Sequence, residues 1–244
     1  MRTAHLFAGA GGGLLADLIL GHTPVLAVEW DAYCCAVLRE RTQDGWFPGL
    51  HVHEGDVRLF DPSEWKGRVD CIHAGFPCTD ISVSGPGGGV DGERSGLYRE
   101  AIRIAGVIRP QFIFMENSPA IIGLGLGTVL SDLASIGYDT RWTCLSAAVV
   151  GAPIERNRWW SLSCTADKHV QDPPLVGAEA SNGQSGGTTV LSTGEVCLAG
   201  WEAHQPSMVR MVDAMADYVD RIKGIGNGQV PLCAAAAWKI LGGP

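Results

Sequence analysis

A cysteine at position 78 directly follows a proline in Ala74-Gly75-Phe76-Pro77-Cys78-Thr79-Asp80, and the run before it, Val69–Ala74, has the apolar character of a buried strand. This places a thiol at the carboxyl end of a strand, the edge where open α/β folds bind ligands, with Pro77 stiffening its backbone. A thiol of ordinary pKa is largely protonated at neutral pH. A nucleophilic Cys78 therefore needs a lowered pKa or must lose its proton as it attacks. The competing reading is a buried, inert cysteine, and the glycine-rich segment Gly85–Gly92 that follows favours the reactive one. A second strand-like run ends in Phe114-Met115-Glu116-Asn117-Ser118-Pro119 and brings a carboxyl group to the same edge. Kept neutral by burial, Glu116 could hydrogen-bond the ring that Cys78 attacks; otherwise it caps the following helix. Arg156 and Arg158, two apart before a final strand, point the same way on an extended chain and either enter this site or form a solvated basic pair.

Three further positions suit a nucleotide-like ligand. The first strand runs into Phe7-Ala8-Gly9-Ala10-Gly11-Gly12-Gly13 and then a helix, a turn in which glycines allow close approach of a ligand. A dinucleotide fingerprint would need a third glycine at position 14, where Leu14 stands. Glu29 closes the second strand, where an acidic side chain accepts hydrogen bonds from ribose hydroxyls, and Trp30 beside it can stack on adenine. Asp56, in Gly55-Asp56-Val57, can accept from an adenine amino group. The alternatives are that Glu29 and Asp56 are helix N-caps and Trp30 belongs to the core.

The elements that must position these groups follow from alternating apolar runs and longer helical periods. Strands are expected at Ala4–Ala8, Val25–Glu29, His51–Glu54, Val69–Ala74, Gln111–Glu116, Thr140–Leu145 and Arg158–Cys164. Helices are expected at Gly12–Leu20, Ala32–Arg41, Leu97–Ile108, Thr128–Ile136, Pro206–Arg221 and Leu232–Leu241. The last two strands leave no room for a helix and form a hairpin. From about Thr165 to Gly200 no period persists, which reads as an irregular insert.

With 244 residues the chain can bury a core without disulfide or metal staples. Its eight cysteines include no C-x-x-C pair, so they read mostly as buried free thiols. No run of about 20 apolar residues or signal peptide is evident, so no membrane partner and a cytoplasmic location are expected. The net charge of −8 opposes a polyanionic partner, although 14 of the 18 basic residues are arginine and a local basic cleft can coexist with an acidic exterior.

Taken in order, these motifs resemble the C5-cytosine-specific DNA methyltransferase family over nearly the whole chain except the insert. Phe7-Ala8-Gly9-x-Gly11 is similar to its first motif, and Glu29-Trp30-Asp31 and Gly55-Asp56-Val57 to its adenosine-binding motifs. Gly75-Phe76-Pro77-Cys78 resembles the nucleophile motif, Arg94-Ser95-Gly96-Leu97 the segment after the catalytic loop, Glu116-Asn117 the Glu-Asn-Val motif, and Arg156-x-Arg158 the arginine motif. Gly226-Asn227-Gly228-Gln229-Val230-Pro231 resembles the last motif, which returns beside the first. Ser118, Thr79 and Ile154 depart from the usual residues without removing a catalytic group. The recognition segment is much shorter than is usual and poor in basic residues, as in methyltransferases of phages and prophages.

The resemblance implies an α/β, Rossmann-like S-adenosylmethionine-dependent methyltransferase fold: a mostly parallel seven-stranded sheet with a final antiparallel hairpin and a small irregular target-recognition insert. Residues 1–164 would be the catalytic domain, 165–205 the reduced recognition region and 206–244 the returning helices. It further implies methylation at C5 of a cytosine flipped from duplex DNA through a Cys78–C6 adduct, with Glu116, Arg156 and Arg158 as the other catalytic residues and no metal. Phe7, Ala8, Gly9, Gly11, Gly12, Glu29, Trp30, Asp56, Val57, Gly75, Pro77, Leu97, Asn227 and Gly228 would hold the cofactor. The expected state is a monomer, with or without a cognate restriction endonuclease. The alternatives are a tRNA cytosine-C5 methyltransferase, a non-catalytic nucleic-acid-binding module on this fold and, third, a nicotinamide-dependent oxidoreductase, which Leu14 disfavours.

Overall fold

The chain enters the middle of a seven-stranded sheet as β1 (Arg2–Leu6), adds β2 (Thr23–Glu29) and β3 (His51–Glu54) on one side, then crosses to β4 (Cys71–Gly75) and β5 (Phe112–Asn117) on the other. These five strands are parallel. A hairpin of β6 (Tyr138–Ser146) and β7 (Asn157–Thr165) completes the sheet, with β7 antiparallel to β5, giving the order β3-β2-β1-β4-β5-β7-β6. The winding reverses between β1 and β4, and such a reversal opens a crevice at the strands' carboxyl ends. The computed structural model describes residues 1–77, 95–165 and 228–244. The expected nucleophile Cys78, the cofactor residue Asn227, the insert beyond Thr165 and the helix Pro206–Arg221 lie outside the described residues.

Helices cover both faces: α1 (Gly12–Leu20), α2 (Ala32–Gln43), α3 (Tyr98–Ile108), α4 (Ile121–Leu124), α5 (Leu126–Ser135) and α6 (Pro231–Ile240). The alternation of β5 shows how the core divides, since successive side chains point to opposite faces. Ile113 and Met115 join Tyr98, Ile104, Val129 and Leu133 from α3 and α5. Phe112 and Phe114 join Ala16 of α1 and Ala234 and Trp238 of α6. A third cluster gathers Leu14, Leu38 and Phe47, so the leucine in place of a fingerprint glycine is a core residue.

The boundaries depart from expectation in informative places. β1 lies two residues earlier than expected, and it stops at Leu6 because Phe7 adopts φ 58°, a left-handed conformation that ends the strand. The helix expected at Thr128–Ile136 is α5, which starts two residues earlier at Leu126, and a short helix that was not expected, α4, precedes it across Gly125 with φ 156°. The β6–β7 hairpin holds a 3₁₀ turn, Ala147–Val150, in its connection. Among the described residues no helix is long and apolar enough to cross a membrane.

Candidate active site

The carboxyl ends of β1, β4 and β5 meet around one cleft of about 350 Å³, partly open to solvent, lined by Phe7, Ala8, Gly9, Gly75, Glu116 and Gly228 among others. The turn from β1 to α1 forms its rim. Gly9 (φ 54°) and Gly11 (φ 100°) need the left-handed freedom of glycine, and Phe7 adopts such a conformation without it, a strain that clusters at ligand-binding sites. A side chain on Gly9 would meet nothing, so this part of the turn faces open space.

Glu29 braces that turn. Its Oε2 accepts from the Gly9 amide at 2.7 Å, while Oε1 accepts from the amides of Trp30 and Asp31, both at 2.9 Å. A carboxylate has about four acceptor sites, so three amides leave room for roughly one more donor, such as a ribose hydroxyl. The helix N-cap is Asp31, which accepts from the Cys34 amide. Trp30 is 76% exposed, which excludes the core reading and leaves its indole face free beside Glu29. Asp56 does what the competing reading expected: it caps the 3₁₀ turn Val57–Leu59, and both its oxygens engage Arg58. That pairing holds its carboxyl below the usual range, and an adenine amino group would share an acceptor already in use. Val57 is buried, and Leu97 packs partly buried at the start of α3.

Glu116 sits at the centre of the site. It pairs in register with Gly75, two residues before Pro77, so its carboxyl lies beside the strand end that leads into Cys78. It is 7% exposed. Burial pushes its pKa up, opposed by the charges of Arg158 and Arg156. Arg158 Nε meets Glu116 Oε1 at 2.8 Å from the antiparallel β7, as the two-apart spacing anticipated. Arg156 lines the adjoining cavity with Glu116 and Arg158. This set can present a neutral or partly charged carboxyl to a polar heterocycle, braced by guanidinium.

Three features escaped the sequence reading. Asn117 Nδ2 donates to the Phe76 carbonyl at 3.1 Å, tying the Phe76–Pro77 backbone to β5. Gln229 reaches from the segment before α6 and donates from Nε2 to Glu116 Oε2 at 3.4 Å. Behind the glycine turn, Asp17 is buried and accepts from Thr3, contacts His5 Nε2 at 2.6 Å and lies 3.3 Å from His22 Nδ1. Burial pushes Asp17 up, but the charge of His5 and bonds from His22 and His5 outweigh it and hold the carboxyl far below its usual range. His73 stacks obliquely on His5 with Nε2 unpartnered, and burial pushes its pKa down to about 3. The Asp17 oxygens are thus already engaged by three donors.

A sequence model of the C-5 cytosine-specific DNA methylase family matches residues 1–193. The chain belongs to that family. Among curated relatives of this chain, the type II methyltransferase M.CviJI of Paramecium bursaria Chlorella virus IL3A is 32% identical over 168 residues, covering 68% of this chain and 44% of the relative. The type II methyltransferase M.HhaI of Haemophilus parahaemolyticus is 30% identical over 176 residues, covering 70% and 51%. The chain thus spans about half the length of the curated relatives it matches. Solved structures share the fold. A DNMT2 variant of Spodoptera frugiperda aligns at a TM-score of 0.57 with 18% identity, covering 73% of this chain and 53% of that one. A DNA modification methyltransferase encoded within an Escherichia coli prophage aligns at 0.55 with 24% identity, covering 68% and 47%. The sheet of this chain is the Rossmann-like arrangement that the motifs implied, closed by an antiparallel hairpin.

Proposed function

We propose that this methylase transfers a methyl group from S-adenosylmethionine to C5 of a cytosine extruded from duplex DNA, with Cys78 as the nucleophile. The supporting observation is Glu116: a buried carboxyl in register with Gly75, gripped by Arg158, at the strand end that carries Pro77 and Cys78. Residues 1–164 act as the catalytic domain, 165–205 as a short recognition segment and 206–244 as the returning part that closes the cleft.

The residues present suit the cofactor. Glu29 retains acceptor capacity at the end of β2, Trp30 offers an exposed indole face, Phe7, Ala8 and Gly9 line the cleft with Gly9 leaving it open, and Gly11 and Gly12 complete the same turn. S-adenosylmethionine, when bound, supplies an electrophilic methyl group. Gly75, Pro77, Leu97, Asn227 and Gly228 complete its surroundings in this reading, with Asp56 and Val57 at the adenine end.

The chain's own groups do the rest. Extrusion of the base costs a few kcal/mol and is offset by pocket contacts and by pairing of arginines with phosphates. Cys78, as thiolate, forms a bond to C6 of the cytosine. Glu116, with its proton retained by burial, hydrogen-bonds N3 and the 4-amino group, so that the electron pair displaced by the sulfur is stabilised on the ring and C5 becomes nucleophilic. Arg158 fixes the Glu116 carboxyl, and Arg156 faces the same cavity, placed to reach the base O2 or a phosphate. Once C5 carries the methyl group, its proton leaves to water, and the electrons of that C–H bond reform the ring double bond and expel Cys78.

Incubation of the purified chain with S-adenosylmethionine and duplex DNA of known sequence, followed by bisulfite sequencing, tests the reading, with tRNA as a parallel substrate. Methylcytosine in DNA, lost in Cys78→Ala with cofactor binding retained, is the expected result. Turnover by Cys78→Ala, or methylation of tRNA alone, overturns it.

A further inference from the structure

Gln229 is held where it is by three residues that lack side chains. A Cβ on Gly12 would come within 2.3 Å of the Gln229 carbonyl oxygen, one on Gly13 within 2.8 Å of its amide Oε1, and one on Gly75 within 2.8 Å of its amide Nε2. None of the three has a positive φ, so conformational freedom does not explain them. Gly12 and Gly13 even open α1, where glycine costs about 0.5–1 kcal/mol relative to alanine. All three approach Gln229, Gly12 its backbone and the other two either end of its amide; Gly13 also makes room for His73 at 2.9 Å and His5 at 3.1 Å, and Gly75 for Glu116 Oε2 at 3.3 Å.

The amide so placed meets Glu116. Arg158 Nε occupies Oε1 at 2.8 Å, and Gln229 Nε2 donates to Oε2 at 3.4 Å from the opposite side. We propose that Gln229 is a positioning residue for Glu116: its amide, seated against Gly12, Gly13 and Gly75, fixes the carboxyl oxygen that Arg158 leaves and so sets the orientation and proton affinity of the group that contacts the base. This rests on the role given to Glu116 above. Gln229 belongs to the segment that closes the cleft, so the carboxyl acquires its second anchor only when that segment is docked.

Among the described residues, the charged and titratable groups facing Glu116 are few. Arg158 on β7 and Arg156 just before it lower its proton affinity. Cys233 on α6 faces it with a thiol that burial, followed by the Glu116 charge, pushes up to about 12, so it stays neutral in the working range. Gln229 is the neutral donor among them, and its bond favours the ionised carboxyl. Its removal therefore raises the pH at which Glu116 loses its proton.

The test uses the full chain with Gln229→Met, which keeps length and removes the donor, and Gly12→Ala, which keeps the Gln229 amide but pushes its backbone back from the seat. The Glu116 carboxyl is titrated by NMR in protein carrying ¹³C-labelled glutamate, with Glu116→Gln assigning the signal and no substrate present. Both variants are expected to titrate at higher pH than the parent chain. Gln229→Met is further expected to lower kcat roughly five- to tenfold, the loss of one weak hydrogen bond in the transition state, and to move the alkaline limb of the pH–rate profile upward. An unmoved titration with a change only in melting temperature or S-adenosylmethionine affinity would show that Gln229 merely packs, and overturns the proposal. If the parent chain transfers no methyl group, the proposed function fails while the titration still decides the role of Gln229.

Discussion

Gly12→Ala isolates the docking of the last segment on the first turn. In an open helix the change would stabilise, because alanine is favoured over glycine by about 0.5–1 kcal/mol. Here the added methyl would lie 2.3 Å from the Gln229 carbonyl oxygen and 3.0 Å from its amide nitrogen, so the backbone must retreat about 0.7 Å merely to reach the 3.0 Å limit. Backbone cannot rotate aside as a side chain can. Overpacking of this kind costs about 1–3 kcal/mol, and at the severe end the net loss after the propensity gain is about 2 kcal/mol. For a chain of this size that lowers the melting temperature by roughly 4–8 °C. Gly106→Ala in α3, where a methyl would meet nothing within 4 Å, is the control and should gain stability. Urea unfolding with fitted m-values, paired with calorimetry, reads both. If Gly12→Ala is neutral or as stabilising as Gly106→Ala, Gln229 is not seated on the turn and the reasoning from the glycines fails.

Other outcomes follow from the charges and contacts. Glu116 has a raised folded pKa, so its contribution to stability is full below the ordinary carboxylate range and is lost as pH rises through the elevated value. Glu116→Gln should therefore gain stability relative to the parent as pH rises from that range, measured by urea unfolding at a series of pH values; a constant difference would contradict the assignment. His73 titrates near 3 when folded against 6.5 unfolded, so its neutral form adds stability above 6.5 that declines as pH falls towards 3. His73→Met should be less acid-sensitive in that window, by the same assay. Glu29→Gln should weaken S-adenosylmethionine binding about 10- to 100-fold in calorimetry, the worth of a charged hydrogen bond, and unchanged affinity would remove Glu29 from the cofactor site.

What the sequence made legible was whatever has a local cause. α1 and β3 fall where the glycine run and the His51–Glu54 segment place them, and the strand-end positions of Glu29, Glu116 and Pro77 follow from where apolar runs stop. The pairing of Glu116 with Arg158 was accessible from the two-residue period of a strand. The hidden parts depend on distance along the chain. Gln229 meets Glu116 across 113 residues: its motif marks the segment as returning beside the first, but nothing local says that its side chain reaches Glu116. Asp17 reads as a polar position on an amphipathic helix until β1 brings Thr3 and His5 to it and the turn after α1 brings His22. The short helix α4 was missed because its four residues span little more than one turn, too few to show a helical period.

The last helix docks on the first, with Trp238 of α6 beside His22 just after α1 and against Phe112 and Phe114 of the sheet. Ala234 and Cys233 of α6 join Trp238 in the same cluster, so one helix covers Phe112 and Phe114 of the sheet and Ala16 of α1 together. Losing α6 would therefore strip the sheet face and the helix behind the glycine turn in a single step, exposing aromatic surface that nothing else among the described residues covers as fully.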